Sequence, residues 1–409
     1  MNILYLSQYF PPEAGATQTR AYEMARNWVR QGHVVTMLTE FPNHPSGIIP
    51  PEYRGKLYEK DVLEGIEVIR VWVKASPRKN FANRMLFYLT YMLGASIAGL
   101  TLARQGYDLV YASSPPLFVG GAALFLSWAR RLPLFFEVRD LWPESAVALG
   151  ELTHPRAIAL ATHQEEACYA RARLVVVVTQ CILDRLLQRG YPHSKLTLIP
   201  NGANVEMFTF SPGGRAHLRQ ELNLGDKFVA IYAGIHGVAQ GLETVIDAAR
   251  LLKNEPGIHF VLVGDGPRKA SLLELADDLQ LPNLSLLPEQ PREAIVDYLS
   301  AADIALIPLR NLELFKGALP SKMFDAWACE RPVLLNVDGE ARQVMQQAGG
   351  GVFIPPEDPR ALVDALLQLR QQPEACRQMG SSGRQYTMQH YSRQAQANKL
   401  AQLLEEVLT

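Results

Sequence analysis

The chain has 409 residues, 48% of them hydrophobic, and a formal net charge of −1; that is the length of two ordinary domains, with apolar content for two packed cores. Its four cysteines, Cys168, Cys181, Cys329 and Cys376, form no C-x-x-C pair and no zinc spacing, which argues against a disulfide framework or a structural metal and for a reducing compartment. Charge is unevenly spread: residues 1–203 carry 21 Lys and Arg against 16 Asp and Glu, whereas residues 204–409 carry 19 against 25. A basic first half suits an anionic surface or a phosphate-bearing ligand, and equally well a complementary partner half.

Asn2-Ile3-Leu4-Tyr5-Leu6-Ser7 reads as a buried strand entered without a basic leader, so a cytosolic chain is expected. The loop Pro11–Thr17 follows, then a helix from about Arg20 to Gln31. Gly15 in this loop is either a turn glycine or a place where ligand approaches backbone and helix-end amides. Strands are expected at 34–38, 66–71, 109–112, 134–138, 174–178 and 196–199, alternating with helices as α/β chains do.

Residues 85–103 carry no charge and are flanked by Arg78, Lys79, Arg84 and Arg104. Three readings are open: a spanning helix, a helix buried on the sheet, and a helix in the membrane interface with Phe81, Phe87, Tyr88 and Tyr91 dipping in. Arg139-Asp140-Leu141-Trp142 closes a central strand, where Trp142 can stack on a sugar and Asp140 can accept a hydroxyl proton. The alternative is an Arg139–Asp140 ion pair with Trp142 in the core. Glu144 is a second acid nearby.

Pro200-Asn201-Gly202 is a strong stop, placing the domain junction at about 201–212. The pattern then restarts. A strand at 228–232 runs into a loop from Gly234 to Gly241, then a helix at 242–253. Strands are expected at 258–263, 284–287, 304–307 and 333–336. Helices are expected near 268–279, 291–300, 321–328, 340–347 and 359–370, and over the tail Tyr391–Leu408. Two units, each with a glycine loop at the carboxyl end of its first strand, put the expected active site in a cleft between two lobes.

Several segments carry a family resemblance. Ile199-Pro200-Asn201-Gly202-Ala203-Asn204-Val205-Glu206-Met207-Phe208, Val263-Gly264-Asp265-Gly266-Pro267 and Phe324-Asp325-Ala326-Trp327-Ala328-Cys329-Glu330-Arg331-Pro332-Val333 resemble, in order and spacing, the signatures of glycosyltransferase family 4. Glu137–Ser145 is similar to bacterial surface-polysaccharide L-fucosamine transferases. The resemblance implies an α/β GT-B fold. Its parts would be a Rossmann-like acceptor domain (1–203), a Rossmann-like nucleotide-sugar domain (204–388) and a C-terminal helix (389–409) crossing back to the first. It also implies transfer of a sugar, such as an N-acetylated deoxyhexosamine, from a UDP-sugar with retention and without metal or other cofactor. The implied acceptor is a polyprenyl-diphosphate-linked sugar at the inner-membrane face; nucleic acid is not an expected partner. A nucleotide-sugar 2-epimerase and an inactive nucleotide-sugar-binding partner are the rival readings.

The chain departs from the family where many members carry an Arg and a Lys that neutralise the departing diphosphate; here those positions are Ile235 and Gln240. Charge stabilisation of this kind is usually the largest catalytic term. Its replacements would be His236, Lys316 and above all Lys322, a cation in a helix's first turn, where the dipole disfavours it unless an anion is near. Pro320 and Ser321 open that helix; Ser321 is expected to cap it and leave amides for the diphosphate. Asp325 would take the ribose hydroxyls. Gly234, Gln240, Gly264, Gly266 and Glu289 would line the nucleotide pocket, and Arg139, Trp142 and Glu144 the acceptor site.

Overall fold

Two α/β units divide the chain: Met1–Asn201 with Gln394–Thr409, and Gly202–Arg393. The computed structural model describes residues 1–13, 15–44, 46–78, 80–148, 150 and 152–409, and for Ala16 and Phe81 the backbone. Ala14 of the first loop, Lys79 of the basic flank and the Phe81 side chain therefore lie outside the described residues.

The first unit is built on strands β1 (Asn2–Leu6), β2 (Val34–Glu40), β3 (Tyr58–Leu63), β4 (Ile66–Val71), β5 (Leu109–Ser114), β6 (Leu134–Val138), β7 (Ala172–Val177) and β8 (Leu196–Leu198). They form one sheet in the order β3-β4-β2-β1-β5-β6-β7-β8. Only β3 runs antiparallel, as an exposed edge hairpin with β4 that the sequence pattern does not announce. The interior strands are buried along their length, which is why they read as unbroken apolar runs.

Its helices are α1 (Ala16–Arg30), α2 (Phe81–Thr101), α3 (Phe118–Ala129), α4 (Glu144–Ala148), α5 (Pro155–Arg171) and α6 (Gln180–Gln188). Small residues let α2 lie close on α3 and the sheet: a methyl group on Gly99 would stand 2.5 Å from Leu126 of α3 and 3.1 Å from Leu38 of β2. Tyr91 is fully buried and donates to the Leu38 carbonyl, Phe87 stacks on Tyr9, and Tyr88 stacks on Phe118. These aromatics therefore face inward, correcting the expectation that they form an outer, lipid-dipping face. The outer line of α2 is instead Leu86, Leu89, Leu93, Ile97 and Leu100, all exposed. Among the described residues no helix is long and apolar enough to cross a membrane.

The second unit carries β9 (Phe228–Ala233), β10 (Ile258–Val263), β11 (Leu284–Leu287), β12 (Ile304–Pro308), β13 (Val333–Asn336) and β14 (Gly351–Phe353), in the all-parallel order β11-β10-β9-β12-β13-β14. Around it lie α7 (Pro212–Glu221), α8 (Glu243–Leu251), α9 (Lys269–Leu279), α10 (Ile295–Ala301), α11 (Ser321–Ala328), α12 (Glu340–Ala348), α13 (Pro359–Arg370) and α14 (Pro373–His390). The last helix, α15 (Arg393–Leu408), puts Ala397, Leu400, Ala401 and Leu404 into the first unit's core beside Trp28, whose indole donates to the Ala397 carbonyl.

Candidate functional site

In each sheet the strand order reverses once, between β1 and β5 and between β9 and β12. Ligands of open parallel sheets lie beyond the strand tips at such a point.

In the second unit the loops after β9 and β10 are stitched together there. The Gly234 amide donates to the Val263 carbonyl, the His236 amide to the Asp265 carbonyl (both 2.8 Å), and the Arg268 amide to the His236 carbonyl at 2.9 Å. This contact requires glycine. Gly264 has φ +145, and a Cβ there would stand 1.9 Å from the Gly234 oxygen; one on Gly266 would stand 2.6 Å from the His236 oxygen.

Lys322, near the start of α11, reaches back onto the same loop. A Cβ on Gly234 would lie 2.2 Å from its Nζ, and Nζ stands 5.6 Å over the Tyr232 ring. Burial pushes its ammonium below the usual lysine range, with Asp325 pulling the other way. A half-buried cation lying beside bare backbone and a ring face is suited to an incoming anion.

His236 is fully buried, and burial pushes it down to about 4. It is therefore neutral at pH 7 in the free protein, which corrects the expectation that it substitutes for a missing cation. A cation on this loop that the sequence reading missed is Arg310, which is also paired with Glu357 at 3.5 Å. Its Nε donates to the Val238 carbonyl at 2.7 Å and its amide to the Ala239 carbonyl, placing a guanidinium on the loop that contains Ile235 and Gln240. Glu243 holds both Arg310 and Arg268, at 3.4 and 2.6 Å. The available signal was position: Arg310 follows β12 directly, at the switch point.

Other expected residues stand differently. Lys316 lies on an exposed 3-10 turn (Glu313–Gly317), paired with Glu313 at 2.6 Å. Pro320, not Ser321, is the residue that caps α11, and no side chain accepts from its first turn. Gln240 folds over Gly237, and Glu289 is exposed in the loop after β11.

In the first unit, Gly15 (φ +152) opens α1 against the Gln18 side chain. One turn on, Arg20 makes a buried pair with Glu137 at 2.7 Å and also donates to the carbonyls of Ile199 and Pro200. Glu137 is further satisfied by the hydroxyls of Tyr111 and Ser113. The Ile199-Pro200-Asn201 segment is thus fastened to β6 through Arg20, a role the sequence reading missed because the partners are more than a hundred residues apart.

Arg139 lies beside this network. Its Nε and Nη1 are buried without a hydrogen-bond partner, and burial lowers its pKa against the pull of Glu137. No ion pair joins it to Asp140. Asp140 instead accepts from the Ser145 hydroxyl at 2.8 Å, and burial raises its carboxyl, a direction that favours a proton acceptor. Glu144, expected in the acceptor site, is engaged by Arg185 of α6 and by Arg189 just past its end, at 3.3 and 3.7 Å. A buried acid pair at the tips of β1 and β2 also escaped the sequence reading: Glu13 takes the amides of Asn43 and His44, and Glu40 the side chains of Gln8 and Asn43.

Known proteins match this architecture. A glycosyl transferase 4-like domain matches residues 15–202, and a domain of glycosyl transferases group 1 matches 215–386. The colanic acid biosynthesis glycosyl transferase WcaI of Escherichia coli K12 is 24% identical over 377 residues, covering 90% of this chain and 92% of that protein. Among solved structures, sucrose-phosphate synthase from Thermosynechococcus elongatus superposes with a TM-score of 0.77 at 20% identity, covering 99% and 98% of the two chains. Anabaena HepE in complex with UDP-glucose gives 0.74 at 16%, covering 99% and 100%.

Proposed function

We propose that this chain, a hexosyltransferase that belongs to the GT-B glycosyltransferases of the family 4 type, moves a sugar from a UDP-linked donor to a polyprenyl-diphosphate-linked acceptor in surface-polysaccharide assembly, with retention at the anomeric carbon. One observation carries the donor half: the Lys322 ammonium rests on Gly234 at the β9 tip, where a diphosphate would meet it together with Arg310. The HepE complex with UDP-glucose, and WcaI, named for colanic acid biosynthesis, support the choice of donor and pathway class. An N-acetylated deoxyhexosamine remains the donor sugar suggested by the segment around Arg139.

In the proposed reaction the acceptor oxygen attacks the anomeric carbon from the face the leaving group departs. The bond from that carbon to the phosphate oxygen breaks, and the acceptor proton passes to the departing diphosphate. Lys322 and Arg310 stabilise the charge that grows there, and neutral His236 offers an N–H donor. No metal is invoked. In the first unit Asp140 orients the acceptor hydroxyl, Trp142 packs against the acceptor, and Arg139 faces its anionic part. The exposed apolar line of α2 rests on the cytoplasmic face of the membrane.

The test is UDP release from UDP-sugars with and without a lipid-linked acceptor. Acceptor-dependent release supports transfer. Interconversion of sugars without acceptor would mean epimerisation, and binding without turnover would mean an inactive partner.

A further inference from the structure

At the β1/β5 switch point of the first unit lies a cavity of about 180 Å³, of which the roles above use only Trp142. Its walls are Tyr9, Tyr88, Pro116, Leu117, Phe118 and Trp142, and Arg84 reaches its lining from the first turns of α2. Tyr88 and Phe118 stack at 5.7 Å with ring planes 23° apart, so one wall is a continuous aromatic face. Burial, with Tyr88 alongside, holds the Tyr9 hydroxyl well above the usual tyrosine range, so it stays uncharged. Beneath Trp142 the floor is a small separate cluster of Leu117, Ala146, Leu152 and Ala161. This pocket is therefore a hole bounded by its own apolar patch.

We infer that this pocket takes the isoprenoid end of the lipid-linked acceptor, seating the one or two isoprene units next to its diphosphate, with Arg84 at the phosphate. The inference rests on the lipid-linked acceptor proposed above. Three observations on this unit carry it.

The size fits: a cavity of about 150 Å³ admits the six carbons of benzene, so this one has room for about seven, one branched isoprene unit and the start of a second. The chemistry fits: a sugar ring brings a hydroxyl on nearly every carbon, and prolines and ring faces would leave most of them unpaired at a cost. The surroundings fit: Met85 and Tyr88 of α2 line the pocket, and the neighbouring positions Leu86, Leu89, Leu93 and Ile97 begin the exposed apolar line along the same helix. A chain leaving the pocket thus continues onto an apolar surface, with the cation of Arg84 set where apolar tail gives way to phosphate.

The experiment is a chain-length series on the full-length protein: inorganic diphosphate, then dimethylallyl, geranyl and farnesyl diphosphates, each titrated calorimetrically. Each buried methylene contributes about fourfold in affinity, less where the fit is imperfect. Affinity should therefore rise at least about tenfold from inorganic to geranyl diphosphate and level off between geranyl and farnesyl as the cavity fills. Ala146→Leu, which adds volume from the floor, should flatten the series. Leu152→Phe is a second filling variant in case the first does not fold.

Equal affinity across the series would overturn the inference. So would a series unaltered by both folded variants. The two claims fail separately. Turnover of lipid-linked acceptors with a KM independent of chain length sinks the pocket assignment and leaves the transferase. A saturating series in a protein that releases no UDP keeps the pocket and sinks the acceptor reading.

Discussion

Replacing Gly264 with alanine should disable the second unit's site while leaving the first unit intact. The new Cβ would stand 1.9 Å from the Gly234 oxygen, about 1.4 Å inside the closest comfortable C···O approach. That oxygen cannot retreat alone, because the Gly234 amide is tied to Val263 and the His236 amide to Asp265. Separating the loops gives up two backbone hydrogen bonds, about 1 kcal/mol each net. An alanine at φ +145 adds about 1–3 kcal/mol of backbone strain. The total, about 3–5 kcal/mol, falls wholly on the second unit. Calorimetric unfolding should therefore lower the second unit's transition. Titration with UDP should show affinity reduced at least about 100-fold, at 1.4 kcal/mol per tenfold. Gly213→Ala is the control: a Cβ there meets nothing within 4 Å on α7, and stability should rise slightly. A Gly264→Ala protein that melts normally and binds UDP within about twofold of wild type would refute the loop-on-loop account.

Three further outcomes are expected. Burial pushes His236 and His259 down to about 4 from 6.5. Depressed folded values mean that the second unit's stability is full above pH 6.5 and declines as pH falls toward 4, by about 3 kcal/mol for each histidine; urea titrations across that range check it, and a flat profile contradicts it. Arg20→Met leaves Glu137 without its cation and frees the Ile199-Pro200 carbonyls, which should cost about 3–5 kcal/mol of first-unit stability, read by denaturant melts of the two units; a loss below about 1 kcal/mol would mean the pair contributes little. Leu93→Glu with Ile97→Glu, at positions 58% and 62% exposed, should leave stability within about 0.5 kcal/mol and reduce co-sedimentation with phosphatidylglycerol vesicles; unchanged partitioning would remove α2 from the membrane.

What the sequence made legible was whatever local pattern decides. The strands at 258–263, 284–287 and 333–336 and the helices at 321–328 and 359–370 are found at those residues, because apolar runs bounded by turn residues leave few alternatives. α14 went unseen because its sequence is polar and holds Gly380 and Gly383. Those glycines are packing residues: a Cβ on Gly383 would meet the Trp327 ring at 2.4 Å, a tertiary reason that no periodicity carries. β3 escaped because an edge strand that exposes Lys60, Asp61 and Val62 has no apolar run.

The site divides the same way. Glycine loops at strand ends are visible in sequence, and so is Lys322 by its conflict with the helix dipole. Arg310, Arg20–Glu137 and the Glu13–Glu40 pair are not, since each acts through a partner brought near only by sheet order. His236 shows the limit of residue type: its position was legible, but its charge state is set by burial.

The central claim is that Lys322 meets the donor's second phosphate, and a thermodynamic cycle tests it most directly. UDP and UMP are titrated against wild type and Lys322→Met, a variant of similar length without the charge. A charge-assisted hydrogen bond to the β-phosphate is worth about 1.5–3 kcal/mol, so the variant should lose about 10- to 100-fold in UDP affinity and almost none for UMP. Equal losses for both nucleotides, or no loss for either, would contradict the account.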